Sequence, residues 1–398
     1  MKSKGIKVKR GKSKRFSSKP QRKKNNILKI IVFIIILCVI AFVGYSVLAP
    51  ILDVLNNPKK EDIPEITTPA VVTTVITNKS DGTTVTTPSE TQEEKEEVVA
   101  FYLNVSALTD INALTTALDS IPKAPLLYNA VVIPLKSSGG AINYATTSEL
   151  SISAKSNKGT IPLADILQAV KSKGYEPIAQ IDMLQDNIYP QTFGDTSYTI
   201  NGSGSRWYDN AIDKGGKLWL SPFASGTKTY LSEITNEVNT AGFTNIIFTG
   251  AVFPPFRQSD LNQITNPVKS VDRYTAITDL LTDVVSDLPE SNPAVTVSVS
   301  DIFAGKADVL KPEIVSVPFY VEFDIPTLGK KITVGEVVTD IEKLTNTEKF
   351  RAAIKQLQEL YPTLEFTPVL SRNGLTDEDL AECDMLCDEY NLVNLFVK

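Results

Sequence analysis

From residue 98 to the C-terminus, short apolar runs of strand length alternate with amphipathic stretches of helical period, and this alternation limits the chain to very few folds. The apolar runs are VAFYLN (99–104), AVVIPL (130–135), PIAQID (177–182), NIIFTG (245–250), TVSVSD (296–301), IVSVPFYV (314–321), LEFTPVL (364–370) and LVNLFV (392–397). Between them Leu163, Ile166, Leu167 and Val170 follow the helical spacing behind Pro162 and ahead of Gly174. Leu231, Ile234 and Val238 repeat the scheme before Gly242, as do Ile277, Leu281, Val284 and Leu288, and Phe350, Ile354, Leu357 and Tyr361. Strands apolar on both faces and separated by helices indicate a parallel sheet. Eight such units in about 300 residues fit an α/β fold of the (β/α)8 TIM barrel type. The rival, an open doubly wound sheet, lacks a glycine-rich phosphate loop after the first strand, VAFYLNVSALTD.

Three segments precede the barrel. Residues 1–26 hold nine lysines and three arginines with no acid, a solvated charge run. Residues 30–47, IIVFIIILCVIAFVGYSV, are free of charge, and with their flanks the stretch 27–49 is long enough for one transmembrane helix. The basic flank places the tail in the cytoplasm and the barrel outside, as a single-pass protein of the cell membrane. A cleaved signal peptide ending at Val47-Leu48-Ala49 is the alternative, opposed by the length of the apolar run and by Pro50. Residues 50–97, rich in Thr, Pro and acid, read as a flexible linker. Thirteen positive charges lie at or before Lys29, so the net charge of −6 becomes −19 from residue 30 onward. An outer part that acidic is a poor partner for nucleic acid.

The chain has no histidine, which excludes Ser-His-Asp and Cys-His nucleophiles and His-ligated zinc. Of the three cysteines, Cys38 falls in the membrane run, whereas Cys383 and Cys387 share one helix face. They are either a redox-sensitive pair or two small buried hydrophobes. No cofactor and no metal is expected.

In barrels of this type the working residues lie at the C-terminal strand ends and in the loops that follow. The connections 136–161 and 183–225 are too long for plain links. The second carries Tyr189, Phe193, Tyr198, Trp207, Tyr208, Trp219 and Phe223, among polar residues. Such rings can stack on the apolar face of a pyranose, or they can pack a small subdomain over the barrel mouth.

The segments VVIPLKSSGG (131–140), IAQIDMLQD (178–186), WYD (207–209), WLSP (219–222) and GFTNIIFTGAVFPP (242–255) resemble, in order and spacing, a bacterial family of amylase-like barrels named for glycoside hydrolysis, whose activity is inferred. The family pattern reads VVIDVKDDxG, IARIxxFKD, WxD, WLDP and GFDEIxFDYIRFP, and SVSDIF (298–303) echoes its ADVF. By that resemblance Lys136, Asp186, Asp209 and Asp301 keep family residues. The family's acids fall on Pro134, Ser137, Ser138, Ser221 and Thr249, and its arginines on Gln180 and Val252. In amylase-type barrels the fourth-strand acid is the nucleophile, so the resemblance implies a dismantled centre at Thr249.

The expected function is therefore a membrane-anchored, extracytoplasmic barrel that binds cell-wall or extracellular glycan without cleaving it. Lys136, Trp207, Tyr208, Asp209 and Trp219 are the expected contacts. One alternative is an active glycoside hydrolase with relocated carboxylates, drawn from Asp186, Asp182 and Asp301, with Glu322 and Asp324 after the sixth strand as further acids at the same face. A glycosidase needs two carboxyls about 5–5.5 Å or about 6.5–9.5 Å apart. The other alternative is an envelope scaffold that binds a protein partner.

Overall fold

The computed structural model describes residues 97–268, 273–286, 288, 291–306 and 308–398. The tail, the expected span at 27–49, Cys38 and the linker up to residue 96 lie outside the described residues. Among the described residues no helix is long and apolar enough to cross a membrane.

Eight parallel strands close into a barrel: β1 (Val99–Tyr102), β2 (Ala130–Lys136), β3 (Glu176–Asp182), β4 (Asn245–Thr249), β5 (Asn292–Ser298) and β6 (Phe319–Phe323), then, after a separate hairpin of β7 (Lys331–Val334) and β8 (Val337–Asp340), β9 (Phe366–Leu370) and β10 (Leu395–Val397). The ring closes where β1 pairs with β10, Val99 opposite Leu395 and Ala100 opposite Phe396. Alternate residues then share the barrel interior. Ala100, Tyr102, Ala130, Val132, Ile178, Ile247, Val369 and Phe396 form one buried cluster there, while the other set of strand residues packs outward under the helices. All eight apolar runs of the sequence supply a barrel strand.

Helices cover the outside. The longer ones are α1 (Ile111–Asp119), α2 (Leu163–Ser172), α3 (Ser225–Thr240), α4 (Arg273–Val285), α5 (Asn346–Leu360) and α6 (Asp377–Glu389). Three of these starts have a side-chain cap. Asp110 accepts the amides of Asn112 and Ala113 at 2.9 Å, and Thr345 with Glu348 and Thr376 with Asp379 form reciprocal capping boxes. The apolar stripes of α2, α3 and α4 bury Leu163, Ile166 and Val170; Leu231, Ile234 and Val238; and Ile277, Leu281 and Val284. Cys383 and Cys387 are free, buried on the inner face of α6. Burial pushes both thiols up, Cys383 to about 12, so they pack as small hydrophobes.

The fifth, sixth and last strands differ most from the expected ones. The fifth strand ends at Ser298, because Val299 and Ile302, one helical turn apart, both bury and draw Val299–Phe303 into a short helix. Asp301 is thus a helix residue and not a strand end. The sixth strand starts at Phe319, since Pro312 opens a 3-10 turn over Pro312–Ile314 and Pro318 offers the ladder only a carbonyl, which accepts the Val295 amide at 3.0 Å. Glu322 accordingly lies within β6 and does not follow it. The last strand shortens to Leu395–Val397. The β7–β8 hairpin, turned at Gly335 with φ of 58°, was not foreseen, although ITV-GE-VVT carries the alternation and the turn.

The loop from β2 to α2 is fastened to α3 by one carboxylate. Glu237 accepts the Tyr144 hydroxyl at 2.7 Å, the Thr146 hydroxyl at 2.6 Å, and the Thr147 amide and hydroxyl at 2.6 and 2.8 Å. That anchorage holds the loop against the outer layer of the barrel.

Candidate functional site

The end of β2, the end of β3 and the loop after β3 bring three charged side chains together beneath the mouth, beside the end of β4. A register shift between Pro134 and Lys136 sets Lys136 opposite Ile181, turning it from the barrel axis into the base of the loop after β3. Its ammonium is 3.1 Å from the Asp186 carboxylate, donates to the Asp182 backbone oxygen at 2.9 Å and lies 5.8 Å from the Tyr230 ring centre. Asp186 in turn accepts the amides of Ile188 and Tyr189, both at 2.9 Å. A side chain at Gly140 would meet Asp186 Oδ1 at 2.0 Å, so only glycine fits, in a backbone with φ of +96°. Lys136 and Asp186 are both 0 % exposed. The expected substrate contact Lys136 and the candidate catalytic acid Asp186 are therefore engaged with each other and with the loop.

Asp182 ends β3 facing the barrel axis and is 3 % exposed. It accepts the Gln185 amide at 3.0 Å and lies 3.5 Å from the Thr249 hydroxyl, which is 3.4 Å from the Gln180 amide nitrogen. Gly250, with φ of +63°, leaves room for it, since a Cβ there would fall 2.5 Å from both carboxylate oxygens. Burial raises the Asp182 carboxyl to about 7, against Lys136, the Gln185 amide and Thr249, which lower it, and with Asp186, which adds to the rise. The position Thr249, which the resemblance marks as a lost acid, thus sits against a different, buried acid.

Of the remaining acids at the mouth, Glu322 and Asp301 are paired, whereas Asp324, after β6, keeps a buried Oδ1 without a hydrogen-bond partner among the described residues. Glu322 stands opposite Ser298 and Val369 in the ladder and meets the Lys398 ammonium at 3.0 and 3.2 Å. Asp301 pairs with Lys306. No group of three or more potential metal-binding side chains occurs among the described residues.

Above this layer a groove of about 370 Å³ opens between the loops that follow β2, β3 and β4, within the range of small-molecule sites, about 300–1,000 Å³. Ser138 and Gly139 come from the first loop, Gln185, Asp209, Lys217 and Trp219 from the second, and Arg257 from the third. Trp219 is fixed in place. Its indole N–H donates to Asp209 Oδ2 at 3.0 Å, Asp209 Oδ1 accepts the Lys217 amide at 2.7 Å, and Asn187 accepts the Leu218 amide at 2.8 Å. Both Asp209 oxygens are thereby used. A larger groove, about 410 Å³, runs past Glu313, Tyr361 and Glu365, but it adjoins the starts of β6 and β9, the face that serves stability in such barrels.

Of the expected contacts, Asp209 and Trp219 reach the groove and Trp207 does not. Trp207 is 5 % exposed, edge-on to Tyr198 at 6.0 Å and tilted on Phe256 at 5.0 Å between ring centres. It closes a small aromatic core beneath the loop. Tyr208 is half-buried and outside the groove lining. Arg257 was missed because nothing in FPPFRQ reports that its loop crosses to the one bearing Trp219.

The family described as "Putative glycosyl hydrolase domain" (DUF4015) matches residues 100–316, from β1 to just short of β6. No curated protein matches the chain. Among solved structures, a hypothetical protein from Ruminiclostridium thermocellum aligns at 18% identity and a TM-score of 0.42, over 49% of this chain and 96% of that one. The chitobiase of Flavobacterium johnsoniae aligns at 12% and 0.43, over 76% of this chain and 44% of its own. The glycoside hydrolase domain of PelA from Pseudomonas aeruginosa aligns at 12% and 0.36, over 75% and 93%. Since the family match takes in more than half of the 398 residues, the chain belongs to this glycosyl hydrolase domain family.

Proposed function

We propose that this barrel binds a glycan in the groove beside Trp219 and does not hydrolyse it, presented outside the cytoplasm on a membrane anchor formed by residues 27–49. The observation that carries the reading is the fixed indole of Trp219 at the mouth of a barrel of this family, since a preset ring loses little entropy when a pyranose stacks on it. The absence of turnover is supported by the groove's chemistry. Its one lining acid is Asp209, with both oxygens engaged, whereas a glycosidase centre needs two carboxyls that both reach the sugar.

One observation favours a second reading. A buried carboxyl raised to about 7, as at Asp182, has the proton affinity of a general acid, so a hydrolase using Asp182 is the competing account. The two are separated by incubating the full-length protein with wall and storage glycans and measuring bound protein and released reducing ends. Binding lost in Trp219→Ala without reducing ends in the parent supports the first reading, and reducing ends abolished by Asp182→Asn support the second.

A further inference from the structure

We infer that the groove selects an acidic saccharide, one that carries a carboxylate or a phosphate, over a neutral one; the inference rests on the reading of the groove as a glycan site. Two cations, Lys217 from the loop after β3 and Arg257 from the loop after β4, line the same groove as Trp219. Both are exposed. No ion pair among the described residues engages either of them. Asp209, the acid nearest to them in the lining, spends its oxygens on the Lys217 amide and the Trp219 indole. Asp260 turns a carboxylate oxygen to the Arg257 backbone amide at 2.8 Å.

The placement runs against the charge of the chain, which is −19 from residue 30 onward. Two loops that are separate in sequence deliver unpaired cations to one groove, and the groove's own acid is held by the Lys217 amide and the Trp219 indole. A ligand carboxylate or phosphate between them would gain charge-assisted hydrogen bonds, roughly twice as strong as neutral ones. The planar guanidinium of Arg257 suits either group in a bidentate manner, while the sugar ring rests on Trp219. A neutral oligosaccharide would have the ring contact alone.

The test is a set of calorimetric titrations of the full-length protein in mild detergent with an oligogalacturonate, a phosphorylated oligosaccharide and a neutral cello-oligosaccharide of equal length. At least one acidic ligand is expected to bind tenfold or more tighter than the neutral one and to weaken with added salt. Lys217→Met and Arg257→Met should each cut that affinity several-fold and reduce neutral binding by a smaller factor; which acidic ligand responds identifies the acidic group. Equal affinity for acidic and neutral ligands, with both variants like the parent and Trp219→Ala weakened, would overturn the charge selection and leave the glycan site standing. No binding of any of the three, or binding that Trp219→Ala does not reduce, would overturn both.

Discussion

The ammonium of Lys136 and the carboxylate of Asp186 meet at 3.1 Å with neither side chain reaching solvent. The pair ties the end of β2 to the loop that carries Asp209 and Trp219, so it holds one wall of the groove in place. Removing one partner strands a buried charge, at a cost of about 3–5 kcal/mol. Lys136→Met should therefore lower the free energy of unfolding by that amount in denaturant titration, and Lys136→Arg should not restore it, because a wider, planar head group with five donors would enter a fully buried site that fits one ammonium.

Gly250 and Asp182 should be coupled. In Gly250→Ala the new Cβ meets both carboxylate oxygens in a backbone with φ of +63°, and the left-handed conformation alone costs about 1–3 kcal/mol. Adding Asp182→Ala removes the obstacle but not the backbone strain. The double variant should be more stable than the sum of the singles predicts, by about 0.5–3 kcal/mol, measured in a double-mutant cycle.

Stability should fall with pH through Asp182. Its carboxyl is raised in the folded state from 3.8 to about 7, so between those values the folded chain binds more protons than the unfolded one. The stabilising effect of protonation is complete below about pH 4 and is lost as pH rises through about 7, with a slope of at most about 1.4 kcal/mol per unit. Asp182→Asn lacks this loss. The variant should gain on the parent as pH rises from 4 to 7 and keep a constant difference above 8, followed by denaturation midpoints at each pH.

The two tryptophans should separate folding from binding. Trp207→Ala empties an aromatic core shared with Tyr198 and Phe256 and should cost about 3–5 kcal/mol. Trp219→Ala opens a half-buried groove wall and should cost less stability while removing glycan binding. Thermal unfolding and glycan co-sedimentation of both variants check the split.

The barrel was legible in the sequence because its strands bury both faces, so Val, Ile and Phe run nearly unbroken through AVVIPL and NIIFTG and mark a strand regardless of register. The mouth was only partly legible. Aromatic content drew attention to the loop after β3, yet composition does not say which way a ring faces, and Trp207 turned inward while Trp219 stayed at the groove. Lys136 was read as a ligand contact, but the register shift after Pro134 sends it under the loop, and such a shift leaves no mark in hydrophobic period. The groove shared by Arg257 and Lys217 and the pairing of Glu322 with Lys398 depend on loops and strand ends meeting at one face of the barrel, which joins residues far apart in the chain.

The most direct measurement is co-sedimentation of the full-length protein with insoluble cell-wall polysaccharide, followed by assay of reducing ends in the supernatant. The account predicts that the parent protein pellets with the polysaccharide, that Trp219→Ala stays in solution, and that reducing ends do not rise above the buffer control. Reducing ends released by the parent and abolished by Asp182→Asn or Asp301→Asn, or a Trp219→Ala variant that pellets as fully as the parent, would contradict it.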